Sequence, residues 1–145
     1  MRRQQVDSDN FDAAGVRFKD REAYYALMLK AQLGARLSTD PAELEPLRED
    51  RSGHRSPGAP LALIRAGSIE DVQLVCRTAS EHGIPVVPQG ARSGISGGAN
   101  AVDGCILLSV KSMDRILAVD EENKTVTVEP GIVNLDLKKA LKEHG

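Results

Sequence analysis

Val86-Val87-Pro88-Gln89-Gly90-Ala91-Arg92-Ser93-Gly94-Ile95-Ser96-Gly97-Gly98-Ala99-Asn100 is the stretch from which the rest of the chain can be read. An apolar, β-branched approach over residues 84–87 delivers the backbone into a run with glycines at 90, 94, 97 and 98. A second apolar run, Cys105-Ile106-Leu107-Leu108-Ser109-Val110, leaves it. Apart from Ile95, the residues of the glycine run from 90 to 98 carry no large apolar side chain and cannot build a core of their own. Their use is backbone. Glycine allows positive φ and close approach of a ligand, and successive N–H groups can form a concave anion nest. Ser93 and Ser96 add hydroxyl donors. Such a loop suits a pyrophosphate, although glycine-rich runs also serve as plain turns. Both common phosphate fingerprints are missing: Gly90 and Gly94 do not give Gly-x-Gly-x-x-Gly, and Gly98 is followed by Ala99 rather than Lys.

Working outward, residues 61–64 read as a short apolar strand. Ser68-Ile69-Glu70-Asp71 resembles a capping box, with Asp in the place of the usual Glu or Gln. Ile69, Val72, Val75, Cys76 and Ala79 then mark one face of a helix that stops at Gly83. Residues 84–87 form the next strand, so strand, helix and strand make a βαβ unit with a parallel pair. The glycine loop leaves the C-terminal end of its second strand, where open α/β sheets place ligands. Residues 106–110 give a third buried strand, and 113–120 with 124–129 read as a hairpin whose link, Asp120-Glu121-Glu122-Asn123-Lys124, is a polar turn. Three carboxylates there are better read as a solvated tip than as a metal site. Pro130-Gly131 ends the hairpin, and Asn134 caps a last helix that carries Leu137, Ala140 and Leu141 and closes at Gly145.

Upstream, residues 1–20 read as a polar leader. Residues 20–34 read as a helix with Tyr24, Leu27, Met28 and Ala31 at helical spacing and Gly34 as its stop. Ser38-Thr39-Asp40-Pro41 starts a short helix over 41–47, and 49–60 is a linker or wrapping loop containing a solvated His54. The organisation expected is a leader and helical segment over 1–57 and an α+β unit over 58–145.

The chain of 145 residues is 41% apolar with a net charge of −2, the balance of a globular protein with no electrostatic reason to bind nucleic acid or an anionic membrane. No run approaches the ~20 apolar residues of a membrane span. Met1-Arg2-Arg3-Gln4-Gln5 is followed by no apolar segment, so it does not read as a secretory signal. Cys76 and Cys105 sit at apolar positions and are expected to be buried free thiols, which suits a reducing cytoplasm. Gly94-Ile95-Ser96-Gly97 satisfies the bare Gly-x-x-Gly of an RNA-binding KH module, but that loop joins two helices, not two strands, and no basic surface accompanies it.

These pieces, in this order, resemble the first half of the FAD-binding domain of the FAD-linked oxidases in the vanillyl-alcohol oxidase/p-cresol methylhydroxylase (PCMH) superfamily, on the glycolate oxidase subunit and D-lactate dehydrogenase-like branch. The motifs that carry the resemblance are residues 60–64 with 68–72, Pro85-Val86-Val87-Pro88-Gln89-Gly90, Ser96-Gly97-Gly98-Ala99, and residues 104–108 before Met113-Asp114-Arg115-Ile116. Val126-Thr127-Val128-Glu129-Pro130-Gly131 with Leu137 and Leu141 follows, and Ser38-Thr39-Asp40 and Asp50-Arg51-Ser52-Gly53 match weakly upstream.

The resemblance implies a small parallel sheet with flanking helices, then an antiparallel hairpin and helix. It also implies FAD held through its pyrophosphate by Gln89, Gly90, Ala91, Arg92, Ser93 and Gly94, with Ile95, Ser96, Gly97 and Gly98 continuing past the cofactor. Arg92 stands where the family often has glycine; it either adds a charge-assisted phosphate contact or points to solvent. Gln89 replaces a frequent arginine and Ala66 a common proline. Ser93 takes the place of the histidine that carries covalent flavin in some members, so the FAD implied is non-covalent. Gly131 is the other implied contact, where glycine lets the backbone approach a ring; as plain structure it terminates a strand.

The implied parent enzyme oxidises a small 2-hydroxy acid, glycolate or D-lactate in type, with the substrate-binding and catalytic residues beyond residue 145. The alternative is a non-catalytic remnant or interaction protein on the same scaffold. By itself the chain is expected to be inactive and to bind FAD weakly or not at all. Self-association or a complementing chain is the expected partnership, and peripheral membrane contact is open for the parent.

Overall fold

The computed structural model describes residues 21–144. The leader at 1–20, the stop at Gly145 and the side chains of Tyr24, Leu27 and Met28 lie outside the described residues. The elements are α1 (Arg21–Leu33), β1 (Leu37–Ser38), α2 (Pro41–Leu44), β2 (Ala62–Arg65), α3 (Ile69–His82), β3 (Val86–Gln89), β4 (Ile106–Ser109), β5 (Ile116–Asp120), β6 (Thr125–Val128) and α4 (Asn134–Ala140).

Four strands form one sheet in the order β1-β2-β4-β3. β2 and β3 are both parallel to β4, and β1 runs antiparallel along β2. This corrects the pairing expected of the βαβ unit: its two strands are parallel but not neighbours, because β4 lies between them. The reason can be read in the side chains. Ile106, Leu107 and Leu108 are all buried, and only an interior strand hides both faces of an apolar run. Pro88, in β3, has no N–H to give a second neighbour, which suits the sheet's edge.

Alternation divides the core in two. Ala62, Ile64, Ile106 and Leu108 face α1 and α3, meeting Tyr25, Leu29, Leu33, Val75 and Ala79. Leu63, Val87 and Leu107 face the other way, onto Leu44, Ala101 and Cys105. Full burial of each of these Leu, Ile and Val side chains is worth about 1.5–3 kcal/mol. Leu37 in β1 joins the first cluster, so residues before and after position 57 share one core and one sheet.

The caps follow the sequence signals closely. Asp40 accepts a hydrogen bond from the Ala42 N–H at 2.9 Å with Pro41 in the first turn, and Ser68 caps α3 by accepting from the Asp71 N–H at 3.4 Å. The Asp71 carboxylate closes the box on the Gly67 N–H at 2.9 Å and also pairs with Arg36 at 3.0 Å. Gly83 ends α3 in the left-handed region at φ 63°.

Two faces differ from expectation. α1 buries Tyr25, Leu29 and Leu33 and leaves Ala31 exposed; Tyr25 stacks on His82 of α3 at a centroid distance of 3.9 Å. α3 turns Asp71, Val75, Thr78 and Ala79 inward, so Ile69 and Cys76 face outward. Cys76 adjoins Val75 in sequence, about 100° around the helix, and so falls off the buried stripe. Cys105 is buried as expected, and burial pushes its thiol pKa up.

The hairpin β5–β6 is a separate two-stranded sheet with an irregular register between Ile116 and Ala118. Its tip is a self-contained turn in which Asp120 accepts from the Asn123 N–H at 2.9 Å and from Asn123 Nδ2 at 2.8 Å. Asn134 is the first residue of α4 rather than its cap; Val133 holds the cap position without a side-chain hydrogen bond.

Candidate functional site

The glycine-rich run leaves β3 at the C-terminal edge of the parallel strands, and the turn after β4 lies on the same edge. The run is fastened from behind by the segment 46–54. Gln89 is buried, and its Nε2 donates to the carbonyls of Leu47 at 2.9 Å and Ala99 at 2.8 Å, tying the two ends of the run to the segment. Arg51 N–H donates to the Gly94 carbonyl at 3.0 Å, and Ala101 N–H donates to the Arg48 carbonyl at 3.1 Å. Asn100, also buried, donates through Nδ2 to the His54 carbonyl at 2.7 Å and accepts from the Asp50 N–H at 2.7 Å.

Arg92 takes neither of the fates considered for it. Its Nη1 donates to the carbonyls of Pro46 at 2.6 Å and Glu49 at 3.1 Å, and its φ is 53°. The backbone there is left-handed, a conformation that favours glycine, and the guanidinium caps the anchoring segment. For Gln89 and Arg92, therefore, the side chains hold the loop, leaving the main chain to meet a ligand.

The front of the loop is different. Among the described residues, no peptide N–H from residue 90 to residue 96 donates a hydrogen bond to the protein. Ser93 and Ser96 are exposed, Ile95 is 80% exposed, and a Cβ placed on Gly90 or Gly98 would touch nothing within 4 Å. Gly94 and Gly97 instead face the anchoring side: a Cβ on Gly97 would lie 3.2 Å from Asn100 Nδ2, and φ there is 78°.

Beside the free amides lies a cleft of about 530 Å³, lined by Ala91 from the glycine run, Lys111 and Asp114 from the turn after β4, Gly131 and Val133 from the hairpin's exit, and Asp136 from α4. Its volume falls in the ~300–1,000 Å³ range of small-ligand sites. The two segments singled out in the sequence thus meet in one hollow. Gly131 is there for a reason the sequence did not show. Its N–H donates to the Met113 carbonyl at 2.7 Å, and a Cβ would lie 2.0 Å from the Val110 carbonyl oxygen.

Glu129, just before it, is buried and binds Arg115 through both the backbone N–H at 2.9 Å and the guanidinium at 2.7 Å. These bonds hold its carboxyl below the ordinary glutamate range. The pair fixes the hairpin to the cleft wall.

Sequence reasoning passed over Asp50, Asn100, Lys111 and Asp114 as site residues. Asp50-Arg51-Ser52-Gly53 carried the one available signal, as a weak match far upstream of the loop. The unbonded amides and the open hollow fit the diphosphate of a dinucleotide, which needs donors without bulk in front of them.

The comparisons with known proteins agree with this geometry. Residues 60–145 match the family described as FAD binding domain. D-2-hydroxyglutarate dehydrogenase of Xanthomonas citri pv. viticola is 38% identical over 110 residues, covering 76% of this chain and 23% of that protein. Glycolate oxidase subunit GlcD of Bacillus subtilis is 36% identical and D-lactate dehydrogenase of Anaerostipes hadrus 37% identical, each over 86 residues, 59% of this chain and 18% of the relative. The chain therefore spans about a fifth of these relatives' length. Among solved structures, p-cresol methylhydroxylase with substrate bound superposes with a TM-score of 0.72 at 27% identity, over 90% of this chain and 26% of that one. 4-Ethylphenol oxidase from Gulosibacter chungangensis gives a TM-score of 0.73 at 26% identity, over 93% of this chain and 26% of that one. From fold, sequence and site together, the chain belongs to the FAD-binding domain family of the vanillyl-alcohol oxidase/p-cresol methylhydroxylase type.

Proposed function

We propose that this chain provides the diphosphate grip of a flavoenzyme that oxidises a small 2-hydroxy acid. The observation that carries the reading is the set of unbonded amides over residues 90–96 beside a cleft that Gly131 also lines. In this reading, the amides of Gly90, Ala91, Arg92 and Ser93 bind the two phosphates, and the Ser93 and Ser96 hydroxyls supply further donors. Fixed dipoles can balance this charge without a lysine because they are already oriented when the anion arrives. Lys111 lines the same cleft as a nearby cation. Ala91 and Gly131 bring main chain to the wall of the hollow, so a flat ring can lie against it.

When bound, FAD supplies the two-electron acceptor for the hydroxy acid, and that chemistry is the cofactor's own. The relatives named for D-2-hydroxyglutarate, glycolate and D-lactate support the substrate class. No acid, base or nucleophile for that step is assigned to this chain, whose residues bind and orient. Val133, which lines the cleft, is 46% exposed, and a further protein segment would close over the cofactor there. Among the described residues no helix is long and apolar enough to cross a membrane.

The test is competition for the site. FAD and ADP should displace one another from the chain at affinities weaker than micromolar, while riboflavin, which lacks the diphosphate, should not compete. Equal binding of riboflavin and FAD, or no binding of FAD and ADP at millimolar concentration, overturns the reading.

A further inference from the structure

The back of the glycine run holds a carboxylate that the amide nest and the cleft do not use. Asp50 is 8% exposed. Its Oδ1 accepts from the Ser52 N–H at 2.9 Å, while Oδ2 is buried without a hydrogen-bond partner. That oxygen looks into the loop: a Cβ built on Gly94 would lie 3.6 Å from it. The Ser52 hydroxyl and amide hold the Asp50 carboxyl below the ordinary aspartate range, and the Ala99 and Gly97 N–H groups favour the charge further, from outside hydrogen-bonding geometry.

A carboxylate close to a diphosphate opposes it by Coulomb repulsion. A buried one, aimed at the loop's inner side, therefore points to a shaping role that outweighs the repulsion. We propose that Asp50 is the positioning residue of the glycine-rich loop: its carboxylate fills the inner concavity of residues 94–99, and the amides of residues 90–93 are thereby left facing outward for an anion. The glycine run then has two halves. The later half closes on an internal anion supplied by the chain, and the earlier half is kept for the ligand. Gly94 and Gly97 belong to the internal half, where a Cβ on Gly97 would press on Asn100 at 3.2 Å and one on Gly94 would lie in contact with Asp50 at 3.6 Å. Asn100 completes the arrangement by accepting from the Asp50 N–H at 2.7 Å.

The proposal rests on the diphosphate reading of the same loop, so its test has one arm that needs no ligand. Backbone amide hydrogen exchange is measured on the whole chain as wild type, Asp50→Asn and Ser52→Ala. Asp50→Asn keeps the shape and the acceptor for Ser52 N–H while removing the inward charge. Exchange at Arg51, whose N–H bonds the Gly94 carbonyl, and at Asn100, whose N–H bonds the Gly97 carbonyl, should rise about tenfold in Asp50→Asn, with wild-type protection kept across β4. Ser52→Ala should move the same amides in the same direction by less, and it carries the comparison alone if Asp50→Asn unfolds.

In the second arm, affinity for FAD and for inorganic pyrophosphate should fall about tenfold in Asp50→Asn. Unchanged exchange at Arg51 and Asn100, or tighter pyrophosphate binding once the charge is gone, overturns the proposal. If the wild type binds neither probe, the diphosphate reading fails, and the exchange arm still decides whether Asp50 shapes the loop.

Discussion

Two glycines in this chain, at positions 90 and 131, make opposite demands on an added methyl group. A Cβ on Gly131 would sit 2.0 Å from the Val110 carbonyl oxygen, 2.8 Å from the Met113 carbonyl oxygen and 3.0 Å from the Val110 carbonyl carbon. All three are backbone atoms, so no rotamer change relieves the contact, and the hairpin's exit must move away from the turn after β4. That movement also breaks the 2.7 Å bond from the Gly131 N–H to Met113 and disturbs Met113 itself, which is 4% exposed in the core. Overpacking costs about 1–3 kcal/mol and the lost hydrogen bond about 1, so Gly131→Ala should cost about 3 kcal/mol. For a chain of this size that is a fall in Tm of about 10 °C.

Gly90 is the control. An added Cβ meets nothing within 4 Å, and its φ lies outside the positive range, so Gly90→Ala should stay within about 0.5 kcal/mol of wild type. Calorimetric melts of the three proteins decide it. Equal Tm for Gly131→Ala and wild type would refute the packing argument at the cleft wall. The same Gly90→Ala protein should nonetheless bind FAD about tenfold more weakly, because its methyl occupies the space in front of the amides.

Arg92 sets a backbone penalty against its bonds to the Pro46 and Glu49 carbonyls. Both truncations lose those bonds, but Arg92→Gly also relieves the left-handed conformation and should be more stable than Arg92→Ala by about 1 kcal/mol in urea unfolding; equal stability would contradict the backbone account. Glu129 makes stability depend on acid. Its folded pKa is lowered first by the Arg115 side-chain hydrogen bond, so its contribution is fully present above its ordinary value of 4.5 and is lost as pH falls through the lowered one. Urea midpoints should therefore fall less steeply below that pH in Glu129→Gln than in wild type, and parallel curves would count against the pair.

Much of the architecture was legible because it rests on local chemistry. The caps at Asp40 and Ser68, the stop at Gly83 and the hairpin turn are each written within a few neighbouring residues. The insertion of β4 between β2 and β3 was not, although Pro88 and the run Ile106-Leu107-Leu108 held the clues to which strand takes the edge and which the interior. The buried faces of α1 and α3 were each misjudged by about one residue, because Thr78 and Asp71 go inside while Cys76, the more apolar side chain, stays outside. At the site, the glycine run was found from its lack of bulk. The partners of Gln89 and Arg92 were hidden for a different reason. They are backbone carbonyls at Pro46, Leu47 and Glu49, and a carbonyl leaves no mark on the sequence that supplies it.

Amide shift mapping on the isotopically labelled chain tests the central claim most directly. As FAD is added to millimolar concentration, the amide signals of residues 90–93 and 131–133 should move together along one binding curve, and ADP should reproduce the movement at 90–93. Shifts confined to other surfaces, or none at 90–93 while FAD binds elsewhere, would contradict the account.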